Sequence, residues 1–156
     1  MGEIKFLIIA NMTELITKDI LLAEDDKDDV EIFDTALKQL DISYMLRNAQ
    51  NGEMLFVLLK EKIPYILFLD IDMPCKDGMA CIMEIRKNRE YDKLPVIMYT
   101  SHMADKIIEE CYRNGANMFL AKTTTFNELT AKLKKIFSID WQDYLHYPPR
   151  DQFVMN

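Results

Sequence analysis

Four short apolar runs that each end at a chemically reactive side chain constrain the possible fold more than any other feature of this sequence. The clearest is the run at residues 65–69, which stops at the carboxylate of Asp70 and is followed by a turn around Pro74. The three other runs end at Glu24-Asp25, at Thr100 and at Lys122. Apolar runs of this length bounded by turn residues predict buried strands. The reactive groups are therefore expected at the carboxyl ends of strands.

The segments between these runs carry apolar residues at helical spacing. The stripe that follows the first run is Val30, Phe33, Leu37 and Leu40. Further helices are predicted over residues 54–62, 79–87 and 104–113, and from Phe126 after a capping box at Thr125 and Glu128. With a weaker strand at 43–49, five strands alternate with five helices. This alternation predicts an α/β fold, with a doubly wound five-stranded parallel sheet and helices on both faces.

Acidic residues follow the first run in a dense cluster, and we expect them to have two different roles. Asp28 and Asp29 are interpreted only as acids of a first helical turn, where they favour the helix dipole. Glu24 and Asp25 lie at the strand end itself, and right-handed crossovers bring all strand ends of a parallel sheet to one edge. The groups expected to meet at that edge are Glu24, Asp25, Asp70, Thr100 and Lys122.

The chemistry expected at this edge follows from its charges, because clustered carboxylates have raised pKa values unless a cation lies among them. Hard oxygen ligands with room for water suit Mg²⁺, which often bridges to a phosphate. An Asp carboxylate can attack phosphorus to give an aspartyl phosphate, and Asp70 is the acid placed to do so. Lys122 would add positive charge, and Thr100 would donate a hydrogen bond to a phosphoryl oxygen. The pattern indicates a site that accepts a phosphoryl group with Mg²⁺.

Composition narrows the classes of partner. The formal net charge of −7 disfavours nonspecific nucleic-acid binding, which needs Lys and Arg to neutralise phosphates. The three cysteines form no C-x-x-C pair, so neither a disulfide framework nor a zinc site is indicated, and a cytoplasmic location is expected. The apolar stretch at 6–10 is too short to span a membrane, so no membrane partner is expected. Residues 1–18 are interpreted as an N-terminal extension, within which Met12 would be an equally natural first residue.

Over about residues 19–137 these motifs, in this order, resemble the receiver domain of two-component response regulators. The resemblance implies a flavodoxin-like sheet with strand order 2-1-3-4-5. It implies that Asp70 is the phosphoacceptor and that Glu24 and Asp25 are the acidic pair, with Asp25 the more direct metal ligand. The backbone carbonyl of Asp72 would complete the Mg²⁺ site.

The same resemblance assigns the remaining positions of the site. Thr100 matches the switch hydroxyl, and Phe119, three residues before Lys122, matches the switch aromatic residue. Lys122 matches the phosphate-binding lysine. The sequence departs from the family at the next position, where Thr123 replaces the usual proline. This departure bears on how Lys122 is presented to the site.

The function implied is that of a response regulator that is not an enzyme. A sensor histidine kinase or a histidine phosphotransfer protein would donate the phosphoryl group to Asp70, with slow autodephosphorylation at most. Phosphorylation would then change docking to a downstream protein target. Two alternatives stay open: a haloacid-dehalogenase-type phosphatase, with Asp70 as nucleophile and Asp72 as general acid, and a pseudo-receiver that is not phosphorylated. The acidic pair precedes Asp70, which is the reverse of the phosphatase order.

The C-terminal tail, residues 138–156, is unusually aromatic and is too short for an output domain, so a stand-alone receiver is expected. Its aromatic residues are Trp141, Tyr144, Tyr147 and Phe153. Disordered tails are usually poor in aromatic residues. We therefore expect this tail to pack, on its own domain in preference to a partner or a second copy.

Overall fold

The computed structural model describes residues 3–4, 16–122, 125–141 and 148–156. Its strands are β1 Lys18–Ala23, β2 Tyr44–Ala49, β3 Ile66–Leu69, β4 Val96–Thr100 and β5 Met118–Ala121. They form one parallel sheet in the order β2-β1-β3-β4-β5. The predicted fold class and strand order are therefore confirmed.

Five α-helices alternate with these strands in the described part of the chain: α1 Lys27–Lys38, α2 Gly52–Glu61, α3 Gly78–Lys87, α4 Asp105–Arg113 and α5 Phe126–Phe137. Two of them begin earlier than the sequence pattern predicted, because side chains cap their first turns. Asn51 accepts a hydrogen bond from the amide of Met54, and Asp77 accepts one from the amide of Ala80. Each helix therefore starts at the glycine after its cap. Gly52 and Gly78 are thus the first residues of α2 and α3.

Two apolar layers lie on the two faces of the sheet, because successive side chains of a strand point to opposite sides. On one face, Leu21, Leu67 and Met98 pack with the buried residues of α2, α3 and α4. On the other, Phe68 and Ile97 pack with the buried residues of α1 and α5. The whole of β3 is buried, as expected for a central parallel strand covered on both sides.

Strand register aligns the carboxyl ends of the strands along one edge of the sheet. Ala23 pairs with Leu69, and Leu69 pairs with Met98. The residues that follow β1 and β3 therefore lie side by side. None of the helices within the described ranges is long and apolar enough to cross a membrane.

The predicted packing of the tail on its own domain is confirmed for the aromatic residues that the structure describes. Trp141 and Phe153 are both buried. The indole nitrogen of Trp141 donates a hydrogen bond to the carbonyl of Ile136, and Val154 forms a parallel bridge with Phe119 of β5. Tyr144 and Tyr147 lie outside the described residues.

Candidate functional site

Three carboxylates meet at the carboxyl ends of β1 and β3. Glu24 follows β1 and Asp70 follows β3, and both residues are buried, with 1% and 3% of their surface exposed. Asp25 is exposed. Ligand oxygens of all three lie within 4.8 Å of one another. The amide of Asp70 donates a hydrogen bond to the carbonyl of Ala23 at 3.0 Å, which fixes the two strand ends relative to each other.

Lys122, which follows β5, brings its ammonium group into this cluster. Its Nζ atom lies 2.5 Å from Glu24 Oε2, 2.9 Å from Asp29 Oδ2 and 3.0 Å from Asp70 Oδ2. Only 15% of the lysine side chain is exposed. The structure therefore brings Asp70, Glu24 and Lys122 together, as the sequence predicted.

Asp29 corrects one of the sequence interpretations. We expected Asp29 only to favour the dipole of a helix. That prediction is wrong, because its carboxylate also binds the Lys122 ammonium. The physical reason is where α1 begins. With Asp26 as the N-cap, the first turn of the helix lies against the edge of the sheet where Lys122 arrives. Asp29 can therefore favour the helix dipole and bind Lys122 at the same time.

The pKa shifts in the cluster reflect burial and an excess of negative charge. Burial raises the pKa of Glu24 to about 7, although the hydrogen bond from Lys122 opposes the rise. Burial alone would lower the pKa of Lys122, but its hydrogen bonds to the carboxylates of Glu24, Asp29 and Asp70 outweigh burial and raise it. Lys122 is therefore protonated at neutral pH.

The donor set of this cluster fits a hard divalent cation. The Lys122 ammonium binds three carboxylates, and the carboxylate of Asp25 lies close to two of them, so negative charge remains uncompensated. All donors are oxygen atoms, which Mg²⁺ prefers. Asp25 is exposed and leaves one side of the cluster open to water, and Mg²⁺ usually retains several waters. The residues present therefore suit Mg²⁺ or a cation like it.

Thr100 and Phe119 occupy the positions that the sequence predicted, and both are fully buried. The carbonyl of Thr100 accepts a hydrogen bond from the amide of Lys122 at 2.8 Å. The hydroxyl of Thr100 accepts one from the amide of His102 at 3.3 Å. Within the described ranges, no hydrogen bond joins that hydroxyl to Asp70. Thr100 thus lies at the same edge of the sheet as the carboxylates, with its hydroxyl bonded to His102.

Asp72 directs its side chain away from the carboxylates. Its Oδ2 atom lies 2.6 Å from Nε2 of His102, and 61% of its side chain is exposed. Its backbone amide faces inward and donates a hydrogen bond to Asp70 Oδ1 at 3.3 Å. The Asp72 side chain is thus not arranged as a general acid in the cluster. Thr123, the departure from the family pattern, lies outside the described residues.

Gly78 supports the site in a way that sequence reasoning missed. A Cβ atom at this position would lie 2.0 Å from the carbonyl oxygen of Asp70, so any side chain would force the two backbones apart. The Gly78 amide also donates a hydrogen bond to the carbonyl of Ile71 at 2.9 Å. The glycine at this position therefore lets the backbone that carries Asp70 approach α3 closely.

Comparison with known proteins places these observations in one family. Residues 20–134 match the family described as the response regulator receiver domain. The chain is 31% identical over 117 residues to the transcriptional regulatory protein KdpE of Staphylococcus aureus, covering 75% of this chain and 48% of that protein. It is 29% identical over 139 residues to response regulator Rcp1 of Synechocystis sp., covering 84% of this chain and 93% of that protein. The chain thus spans about half of KdpE and nearly all of Rcp1.

Solved structures give the same result for the fold. The Mn²⁺-bound form of response regulator Rcp1 superposes with a TM-score of 0.71 at 26% identity, covering 85% of this chain and 99% of that one. The phosphorylated cyanobacterial phytochrome response regulator RcpA superposes with a TM-score of 0.74 at 22% identity, covering 86% of this chain and 100% of that one. At the lower identity the likeness concerns the fold alone.

Proposed function

Since this chain belongs to the response regulator receiver domain family of two-component signalling, we propose that it accepts a phosphoryl group onto Asp70 with Mg²⁺. One observation carries the proposal. The Lys122 ammonium binds Asp70 and Glu24 within a carboxylate cluster whose remaining negative charge suits a divalent cation. The donor would be a phosphohistidine on a sensor histidine kinase or a histidine phosphotransfer protein, and the location would be cytoplasmic.

In the proposed reaction a carboxylate oxygen of Asp70 attacks the phosphorus of the phosphohistidine. The new O–P bond forms as the N–P bond breaks, and the electron pair of the N–P bond stays on the departing imidazole nitrogen. Lys122 is protonated and would pair with the phosphoryl oxygens. The Thr100 hydroxyl would donate a hydrogen bond to one of these oxygens, and both residues would thereby stabilise charge that the phosphoryl group brings.

The carboxylates of Glu24, Asp25 and Asp70 would hold the Mg²⁺, with the backbone carbonyl of Asp72 as a further ligand. When bound, the ion would neutralise negative charge on the phosphoryl group. Of the three carboxylates Asp25 is the exposed one, and Glu24 is buried and already bound to Lys122. Asp25 would therefore contribute the most direct protein ligand.

The proposal makes the protein a phosphoacceptor, with slow autodephosphorylation at most. Phosphorylation would change docking to a downstream protein target. A phosphatase that uses Asp72 as general acid is not supported, because that side chain pairs with His102 at the surface. A pseudo-receiver is also disfavoured, since the acceptor, the acidic pair and the lysine are all present in the cluster.

Intact-mass spectrometry after incubation with acetyl phosphate and Mg²⁺ tests the assignment of Asp70. The unaltered chain should gain the mass of one phosphoryl group, and Asp70→Asn should gain none. Asp72→Asn is the matched control, because it makes the same change two positions away at an exposed side chain, and it should be labelled normally. Labelling of Asp70→Asn, or turnover of p-nitrophenyl phosphate by the unaltered chain, would contradict the proposal.

A further inference from the structure

Residues 148–156, the end of the tail, hold the outer side of β5, whose other side is paired with β4 along its whole length. After a single 3₁₀ turn at Arg150–Gln152, the segment runs beside the strand. The Phe119 amide donates a hydrogen bond to the carbonyl of Phe153 at 2.8 Å, and the Met155 amide donates one to the carbonyl of Phe119 at 2.9 Å. Both main-chain groups of Phe119 are therefore bound by the tail.

One buried ring anchors this segment. Phe153 is fully buried, with its ring centroid 5.2 Å from that of Tyr112 on α4 and 6.3 Å from that of Phe119. The Tyr112 hydroxyl donates a hydrogen bond to the carbonyl of Pro148 at 3.1 Å. A movement of β5 relative to α4 would therefore disturb the packing of three aromatic rings.

Polar contacts fasten the segment to helices on both faces of the sheet. Arg150 Nε lies 3.0 Å from Glu109 Oε2 on α4. On the opposite face, Lys135 of α5 donates a hydrogen bond from Nζ to the carbonyl of Asn156 at 2.7 Å. The segment that binds the backbone of β5 is thus itself fixed to both layers of helices.

The carboxyl end of β5 carries the ammonium group of the acidic site. Lys122 directly follows the strand, and its amide donates a hydrogen bond to the carbonyl of Thr100 at 2.8 Å. Phe119 lies three residues earlier, roughly 10 Å along the strand at ~3.3 Å per residue. The backbone of Lys122 therefore takes its position from the same short strand that the tail holds at Phe119.

Phosphorylation of Asp70 would require this ammonium group to exchange partners. An ammonium group has three N–H donors, and oxygen atoms of Glu24, Asp29 and Asp70 already lie within 3.0 Å of Nζ. To bind a phosphoryl oxygen, Lys122 has to release at least one of these carboxylates. Its side chain is largely buried and has little room to turn alone, so we expect the end of β5 to move with it.

We propose that the end of the tail is a built-in restraint on phosphorylation of Asp70, in which Phe153 is a positioning residue that acts through β5 on Lys122. The inference rests on the proposed function and adds a regulation of the same site. Phosphorylation and detachment of the tail favour each other, because coupling between two sites is reciprocal. The segment lies beyond residues 20–134, which match the family, so the restraint is an addition to the receiver fold.

The test is the affinity of the full chain for beryllium trifluoride, a reversible analogue of the phosphoryl group, measured by calorimetric titration at saturating Mg²⁺. Phe153→Ala should bind the analogue about fivefold more tightly than the unaltered chain, the low end of couplings between sites, with its Mg²⁺ affinity unchanged. A merely structural role would not produce a gain of affinity in a destabilised variant. Phe56→Ala, at a half-buried ring on α2, is the matched control and should bind the analogue as the unaltered chain does.

A second variant keeps the test decisive if Phe153→Ala does not fold. Arg150→Glu breaks the ion pair with Glu109 between partly exposed side chains and should tighten binding of the analogue about twofold. Adding Glu109→Arg restores an ion pair of reversed polarity and should return the affinity to that of the unaltered chain. An affinity that is equal or weaker in the folded tail variants would overturn the restraint.

The titration also separates this inference from the proposed function. If the unaltered chain neither binds the analogue nor is labelled by acetyl phosphate, the proposed function is wrong and the restraint falls with it. If the unaltered chain is labelled and all variants bind the analogue equally, the proposed function stands and the tail does not restrain it.

Discussion

Residues 148–156 pack between α4 and the open edge of β5, and the surface that they cover is here called the tail groove. The acidic site lies at the carboxyl end of β5, and the two regions satisfy their polar groups in opposite ways. At the acidic site, one ammonium group binds three of four clustered carboxylates, and burial raises the pKa of Glu24 to about 7. In the tail groove, main-chain hydrogen bonds, an ion pair and a buried ring are all supplied by the chain itself. The first region is electrostatically incomplete without a ligand, and the second is complete.

This difference predicts opposite responses to substitution. Removing a carboxylate from the acidic site relieves repulsion, so binding of a cation should be lost while the metal-free fold is preserved. Removing the anchor of the tail leaves a cavity and unpaired backbone, so stability should be lost while cation binding is preserved. Variants in the two regions therefore test whether cation binding at the site and the stability contributed by the tail are independent of each other.

The largest effect is expected from Asp25→Ala. Because Asp25 is the exposed acid of the cluster, its loss should abolish most Mg²⁺ binding and block labelling by acetyl phosphate, without lowering the melting temperature of the metal-free chain. Thermal shift with increasing Mg²⁺ measures both quantities. Asp41→Ala, which removes an exposed acid elsewhere, is the control and should keep the Mg²⁺ response. An unchanged Mg²⁺ affinity in Asp25→Ala would refute the metal assignment.

Phe153→Ala should give the next largest effect. Truncating a fully buried phenylalanine lowers the free energy of unfolding by about 3 kcal/mol when the surroundings cannot close over the cavity. Here the loss cannot exceed the free energy with which the tail binds its groove, because the tail can detach. Urea unfolding should therefore show a clear loss of stability, with the Mg²⁺ response retained. Phe126→Ala, at a partly exposed aromatic residue, should cost less. A Phe153→Ala chain as stable as the unaltered one would mean that the tail contributes nothing to the fold.

The sequence predicted the sheet and most of the acidic site because both depend on local pattern and one topological rule. Alternation gives the parallel sheet, and right-handed crossovers then bring Glu24, Asp70 and Lys122 to one edge without knowledge of packing. The role of Asp29 could not be found this way. It depends on the angle at which α1 crosses the sheet, and the residue is as well explained by the helix dipole.

Gly78 and the tail were less accessible for a related reason. The contact between Gly78 and the backbone of Asp70 is a close approach of two chain segments, and a pattern of side chains carries no information about it. Val154 pairs with β5 through a single bridge, too short to show any periodicity. Composition predicted that the tail packs, but not that it extends the sheet.

The smallest expected effect concerns the link between the two regions through β5. The side chain of Lys122 binds the carboxylates of the site, and its backbone amide bonds to Thr100. Phe119, which forms the hydrogen bonds to the tail, lies three residues earlier on the same strand. A phosphoryl group on Asp70 would redistribute the hydrogen bonds of Lys122 and shift the end of the strand. The tail is bonded to Phe119 on both its amide and its carbonyl, so any shift of Phe119 should loosen it.

Hydrogen exchange at the Met155 amide, which is bonded to Phe119, measures this loosening. Acetyl phosphate with Mg²⁺ should accelerate its exchange by about fivefold, the low end of couplings between distinct sites. The Tyr65 amide, bonded to Asp19 at the opposite end of the sheet, should exchange unchanged. Coupling of this kind is reciprocal, so Phe153→Ala should shift the equilibrium of phosphorylation by the same factor. Full labelling of Asp70 with unaltered exchange at Met155 would show that β5 does not connect the site to the groove.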